Sequence, residues 1–227
     1  MPLRYVLLGE GPLYERCFQW LRQRGTLPLA EWRHPLTVDE YAAHPASAQA
    51  TVGVAIGYRH LLRPDLLARL PILNLHHGLL PYNRGADPNV WAILDGTPSG
   101  TTLHWMDMGV DTGPIVAQVA VRDSFGDTAA TLYDRLMDAS FALFTQSWQK
   151  AEAEGRFPEG EPQRGAATSH RRRDLPTVQQ RPLDHATLQT LRACTFPGWP
   201  GYRYTWDGRV YDLTLSIREV ADDSPHP

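Results

Sequence analysis

The sequence predicts an α/β fold built on a parallel sheet with crossover helices. Three observations predict it. Short apolar runs at residues 5–8, 51–56 and 71–75 alternate with segments of helical periodicity. Each run stops in a glycine-containing or polar loop, as strands feeding crossovers do. The chain has 227 residues, enough for one domain, or one domain with an appendage, around a real core.

The elements follow in chain order. Tyr5 to Leu8 reads as a buried strand that runs into the tight turn Gly9-Glu10-Gly11-Pro12. The glycine pattern there lacks the third glycine of a dinucleotide fingerprint, so no NAD site is expected. Leu13 to Arg24 carries Leu13, Cys17, Trp20 and Leu21 at helical spacing and stops at Gly25. Thr51 to Ile56 is a second strand. Pro64 to Leu70 is a helix with proline in its first turn. Pro71 to Leu75 is a third strand. Val90 to Leu94 forms a helical turn or more, and Gly100–Met106 and Ile115–Val121 read as strands. Asp127 to Lys150 is the longest helical pattern, with Thr128 as a cap and Leu132, Leu136, Met137, Phe141 and Phe144 on one face. Residues 151–182 read as an exposed connection rich in Gly, Pro, Glu, Gln and Arg. Its Arg171-Arg172-Arg173 run fits a solvated loop or a phosphate contact. Residues 183–227 form an appendage: a helix at 183–196, then a hairpin turning at Asp207-Gly208. Residues 1–150 are the expected catalytic core.

Composition excludes several classes of function. Apolar residues make up 42% and charged residues 21%, with a net charge of −3. That balance leaves no footprint for nucleic acid or an anionic membrane. No stretch reaches the roughly 20 apolar residues of a membrane helix, and the N-terminal run is too short for a signal peptide. A cytoplasmic location is expected. Cys17 and Cys194 read as buried thiols, and no His/Cys cluster has zinc spacing, so no metal is expected.

The chemistry is concentrated between Asn74 and Gln118. Asn74 and His76 stand two apart at the end of a strand, so both side chains point to one face. Open α/β sheets place ligands at the carboxyl ends of their strands. Asp111 lies in the glycine-flanked loop Gly109-Val110-Asp111-Thr112-Gly113, which brings a carboxylate close without bulky neighbours. An imidazole beside a carboxylate moves protons, and an amide N–H aimed at the same point stabilises an oxyanion. These are parts for acyl transfer, although an Asn-x-His pair is also a common structural element.

The segment Asn74-Leu75-His76-His77-Gly78-Leu79-Leu80-Pro81 is followed by Arg84-Gly85, Pro88-Asn89-Val90-Trp91, Gly100-Thr101-Thr102-Leu103-His104 and Asp111-Thr112-Gly113. In this order and spacing it resembles the folate-dependent formyltransferases. The match is specific over about 45 residues and looser over most of the chain. The resemblance implies a Rossmann-like formyltransferase core, here shortened at its N-terminus, with a small C-terminal hairpin. It implies Asn74, His76 and Asp111 as the catalytic trio. It implies 10-formyltetrahydrofolate as the formyl donor, held by Ile56, Tyr58, Arg59, His60 and Leu61 and by Met106, Gly109 and Val110.

A finer resemblance, to enzymes that formylate nucleotide-linked amino sugars, rests on residues 79–91, on Thr168–Leu175 and on Leu191–Gly201. It implies a small-molecule amine as acceptor, with Tyr82, Asn83, Arg84, Trp199 and Tyr202 as candidate contacts. The chain departs from the family pattern at His77, at Gly78 (where Ser is usual) and at Asp87 (where the sugar enzymes often have His). Those departures keep an amino acid or other natural-product amine open as acceptor; hydrolysis of formyl-folate is a further alternative, since the same trio could activate water. Single residues carry two readings. Arg84 binds phosphate or braces its loop, and Trp199 and Tyr202 stack on an acceptor or pack the appendage. Trp91 reads as core, His104 as a structural histidine and His77 as an exposed one. The apolar hairpin offers a surface for a homodimer.

Overall fold

The computed structural model describes residues 3–123, 127–175, 184–198, 201–206 and 208–217. A six-stranded sheet in the order β2-β1-β3-β4-β6-β7 organises the chain. The strands β1 (Tyr5–Gly9), β2 (Glu31–Trp32), β3 (Val52–Ile56) and β4 (Ile72–His76) are mutually parallel. They are joined by α1 (Pro12–Gln23), α2 (Val38–Ala43) and α3 (Pro64–Leu67). The crossovers are short, with six residues in α2 and four in α3. The strand β2 and the helix α2 have no counterpart in the sequence reading. Two residues are too few to show a period, and α2 is marked chiefly by its Thr37 cap, which accepts from the Glu40 backbone N–H.

The sheet is not parallel throughout. β6 (Gly100–Trp105) runs antiparallel to β4, and β7 (Ile115–Ala120) antiparallel to β6. Between β4 and β6 in sequence lie β5 (Arg84–Gly85) and α4 (Pro88–Asp95). Three of the parallel strands, β1, β3 and β4, are buried on both faces, which is why they read as continuous apolar runs. One face packs on α1 and on α5 (Ala129–Glu154) through Tyr5, Leu7, Tyr14, Leu73, Phe144 and Trp148. The other packs on α2 and α3 through Val6, Leu8, Tyr41, Leu66 and Ile72. Thr128 caps α5 in a reciprocal box with Thr131, and Gly155 closes the helix in the left-handed conformation.

After α5 the chain is exposed over most of residues 158–174, yet it returns to the core at three points. Phe157 is buried with Trp148. Gln163 and Thr168 reach inward, and β8 (Ser169–His170) pairs in parallel with β5. Helix α6 (His185–Cys194) joins α4 and α5 in a third cluster, and the buried Arg192 donates from Nε to the Asp127 carbonyl at 2.9 Å. The hairpin of β9 (Tyr202–Trp206) and β10 (Arg209–Leu213) follows, as the Asp-Gly signal predicts. No helix among the described residues is long and apolar enough to cross a membrane.

Candidate active site

The site lies at the carboxyl end of β4. Asn74 and His76 leave the same face of that strand. Antiparallel pairing sets His104 of β6 directly opposite Asn74 in the register. Asp111 arrives from the loop between β6 and β7. Its backbone is left-handed, at φ 53°, a conformation aspartate tolerates better than most residues. Gly113 sets the depth of that loop. A Cβ there would fall 1.9 Å from the Trp105 carbonyl oxygen, so only glycine lets the loop lie flush on the end of β6.

The Asp111 carboxylate is the hub. Oδ1 accepts from the Asn74 amide at 3.2 Å and lies 3.3 Å from His104 Nε2. Oδ2 accepts from the Gly85 backbone N–H at 2.9 Å and lies 3.6 Å from His76 Nδ1. Burial alone would raise this carboxyl. The two imidazoles and the Gly85 N–H outweigh it and hold Asp111 well below the usual carboxylate range.

His76 is 6% exposed, and its Nε2 donates to the Asn83 carbonyl at 3.1 Å. That bond assigns the proton to Nε2 and leaves Nδ1 facing the carboxylate. Burial pushes the His76 imidazole below its ordinary value, against the pull of Asp111. The sequence departure at Gly78 has its explanation here. A Cβ on residue 78 would stand 2.5 Å from His76 Nε2, so the ring edge occupies space that a serine side chain would enter.

His104 belongs to the cluster, although the sequence reading took it as merely structural. Its Nδ1 donates to the Trp105 carbonyl at 2.8 Å, which turns Nε2 toward Asn74 (3.3 Å) and Asp111. The Gly100–His104 stretch belongs to the matching motif, but its place beside Asn74 comes from a register between strands 30 residues apart. His77 differs from its expected exposure. It is half-buried, 5.8 Å from the His76 ring and edge-on to Tyr133 at 5.5 Å. Burial and the neighbouring His76 push its imidazole down to about 3.

The residues expected to hold the donor lie at and after the end of β3, the neighbour of β4, and in the loop between β6 and β7. Ile56 is buried at the end of β3, and Tyr58, Arg59, His60 and Leu61 follow it. The Tyr58 hydroxyl accepts from the Leu36 N–H at 2.8 Å and donates to the His34 carbonyl, so it ties down the 34–36 loop. Leu61, Met108 and Val110 are large apolar side chains exposed at 85%, 75% and 51%. Met106 is half-buried and donates its N–H to Ile72, and Gly109 donates its own to Asp107.

Several expected acceptor contacts are engaged within the fold. Asn83 is 1% exposed, with its amide on Thr97 and its N–H on Thr168. Arg84 donates from Nε and Nη2 to Gln163, in keeping with the loop-brace reading. Tyr202 is buried against Leu191 and Cys194. Tyr82 is half-buried at the surface of the 79–85 loop. Trp199 lies outside the described residues. Asp87 receives both Nε and Nη2 of Arg172 at 3.0 Å, so one arginine of the 171–173 run is paired with it. Trp91 is buried, as expected, and stacks on His170 at 4.0 Å. Among the described residues no group of three or more metal-binding side chains occurs.

Comparisons with known proteins place the chain in a family. Residues 30–147 match the model of the formyl transferase family. The chain belongs to that family. The methionyl-tRNA formyltransferase of Synechococcus sp. is 34% identical over 132 residues, 57% of this formyl transferase chain. The chain spans only 39% of that relative's length. The formyltransferase PseJ of Anoxybacillus kamchatkensis is 30% identical, over 75% of this chain and 87% of its own, with a TM-score of 0.65. It was solved with UDP-4,6-dideoxy-4-formamido-L-AltNAc and tetrahydrofolate. A sugar N-formyltransferase candidate from Mycobacterium tuberculosis shares the fold over 96% of this chain and 99% of its own, with a TM-score of 0.84 at 21% identity.

Proposed function

We propose that this formyl transferase moves a formyl group from 10-formyltetrahydrofolate to a primary amine carried on a nucleotide-linked amino sugar. The observation that carries the reading is the convergence of Asn74, His76 and Asp111 on one carboxylate-centred cluster. The acceptor class is supported by the likeness to PseJ, solved with a formylated UDP-sugar and tetrahydrofolate.

The residues divide the work as follows. The amine nitrogen bonds to the formyl carbon, the bond from that carbon to the folate nitrogen breaks, and one proton passes from the attacking to the leaving nitrogen. Negative charge gathers on the formyl oxygen in between. The Asn74 amide has two hydrogens: one goes to Asp111, and the other, which faces His104 Nε2 at 3.3 Å, is the one offered to the formyl oxygen. His76 is neutral near pH 7 and takes a proton at Nδ1, where the ionised Asp111 stabilises the cation. The exposed apolar side chains Leu61, Met108 and Val110 are the ones offered to the flat donor.

Calorimetry with 5-formyltetrahydrofolate, followed by a panel of amino-sugar nucleotides in its presence, tests the reading. Folate binding with one tight nucleotide sugar is expected. Folate binding with no nucleotide response would move the acceptor to another amine, and no folate binding would sink the proposal.

A further inference from the structure

The structure assigns Gln163, in the connection after α5, the part of a positioning residue that holds Asp111 in its working conformation. The inference rests on the reading of Asp111 as part of the formyl-transfer site.

Gln163 makes four hydrogen bonds that leave its amide fully used. Oε1 accepts from Arg84 Nε at 3.2 Å and from Arg84 Nη2 at 2.8 Å. Nε2 donates to the Asp111 carbonyl and to the Gly113 carbonyl, each at 2.8 Å. Chemistry fixes the sense of the amide. Turned over, it would set an NH2 against a guanidinium and an oxygen against two carbonyls. A glutamine side chain is the right shape here because it must accept on one side and donate twice on the other.

The bonds close a ring. The Asp111 side chain takes the Gly85 N–H at 2.9 Å, Gly85 follows Arg84 in the chain, Arg84 grips Gln163, and Gln163 returns to the Asp111 backbone. The carboxylate and the backbone of one residue are therefore fixed by two neighbouring points of the same loop. The same stretch of connection is anchored again six and seven residues later, where β8 pairs with Arg84 and Gly85. Asp111 needs such a hold, because it sits at φ 53° in an otherwise exposed loop, with residues 107–110 open to solvent. Without Gln163, the carboxylate loses its fixed place between Asn74, His76 and His104.

Three variants test this. Gln163→Leu removes all four bonds. Gln163→Glu keeps an acceptor for Arg84 but opposes the Asp111 and Gly113 carbonyls with a carboxylate. Arg84→Met removes only the far side. The first readout needs no substrate: the ring signals of His76 and His104 in protein labelled at histidine. Both should move in Gln163→Leu and Gln163→Glu and move less in Arg84→Met. The second is steady-state formyl transfer. A misplacement of this kind costs about 100-fold in kcat, with KM for donor and acceptor little changed. The third is a cycle with Asp111→Asn, in whose background Gln163→Leu should cost nothing further. Unmoved histidine signals, a wild-type kcat, or a loss that adds fully to that of Asp111→Asn would each overturn the assignment. Should Gln163→Leu fail to fold, Gln163→Glu carries the same three readouts. If the wild-type protein transfers no formyl group, the proposed reaction fails, and the histidine signals still decide the part of Gln163.

Discussion

Asn74 and Asp111 meet at 3.2 Å, amide to carboxylate, although 37 positions separate them in the chain. The contact ties the proposed oxyanion donor to the carboxylate beside His76. Asn74→Ala should therefore lower kcat by roughly two to three decades, the usual worth of one oxyanion donor, while folate affinity survives. Steady-state kinetics beside calorimetry on the same variant checks both halves.

The pH profile follows from His76. Its imidazole must be neutral to take a proton, and burial sets it below its ordinary value of about 6.5. Activity should stay level from neutrality down to about pH 6.5 and fall only below that, as His76 becomes charged. An acid limb centred above pH 7 would contradict the burial argument.

Stability has its own pH dependence, with His77 as a large contributor. Its folded-state value is about 3, below the roughly 6.5 of the unfolded chain. Between those values the unfolded state binds the extra proton, so stability falls as pH drops from about 6.5 toward 3. The slope approaches about 1.4 kcal/mol per pH unit for one such group. Urea unfolding of wild type and His77→Phe between pH 7.5 and 5 checks this, and the variant should show the shallower slope.

Gly113→Ala should misplace the Asp111 loop, since its Cβ would lie 1.9 Å from the Trp105 carbonyl oxygen. Overpacking of this kind costs about 1–3 kcal/mol. A lower thermal midpoint together with reduced kcat is expected. A variant that kept both would show that the loop has slack.

The sequence already showed the parallel half of the sheet, because strands buried on both faces are continuous apolar runs bounded by glycine and proline. It also showed α5, whose cap and stripe are long enough to leave a clear period. That Asn74, His76 and Asp111 belong together was legible through the motif, and the structure brings the three side chains to one place. The directions of β6 and β7 were not, since alternation is the same either way up the sheet. His104 and Gln163 were hidden for a related reason. One gains its place from strand register and the other from a polar connection whose composition resembles any exposed loop. The polar partners of Asn83, Arg84 and Tyr58 were equally invisible, because a polar side chain in a loop carries no mark of whether it faces substrate or the fold.

The most direct test is product analysis. The protein is incubated with 10-formyltetrahydrofolate and each of a set of amino-sugar nucleotides, and products are read by mass spectrometry beside Asn74→Ala. A formamide should form on one amino sugar, with equal release of tetrahydrofolate, and should fall sharply in the variant. Formate released without any amine, or formamide formed equally well by Asn74→Ala, would contradict the account.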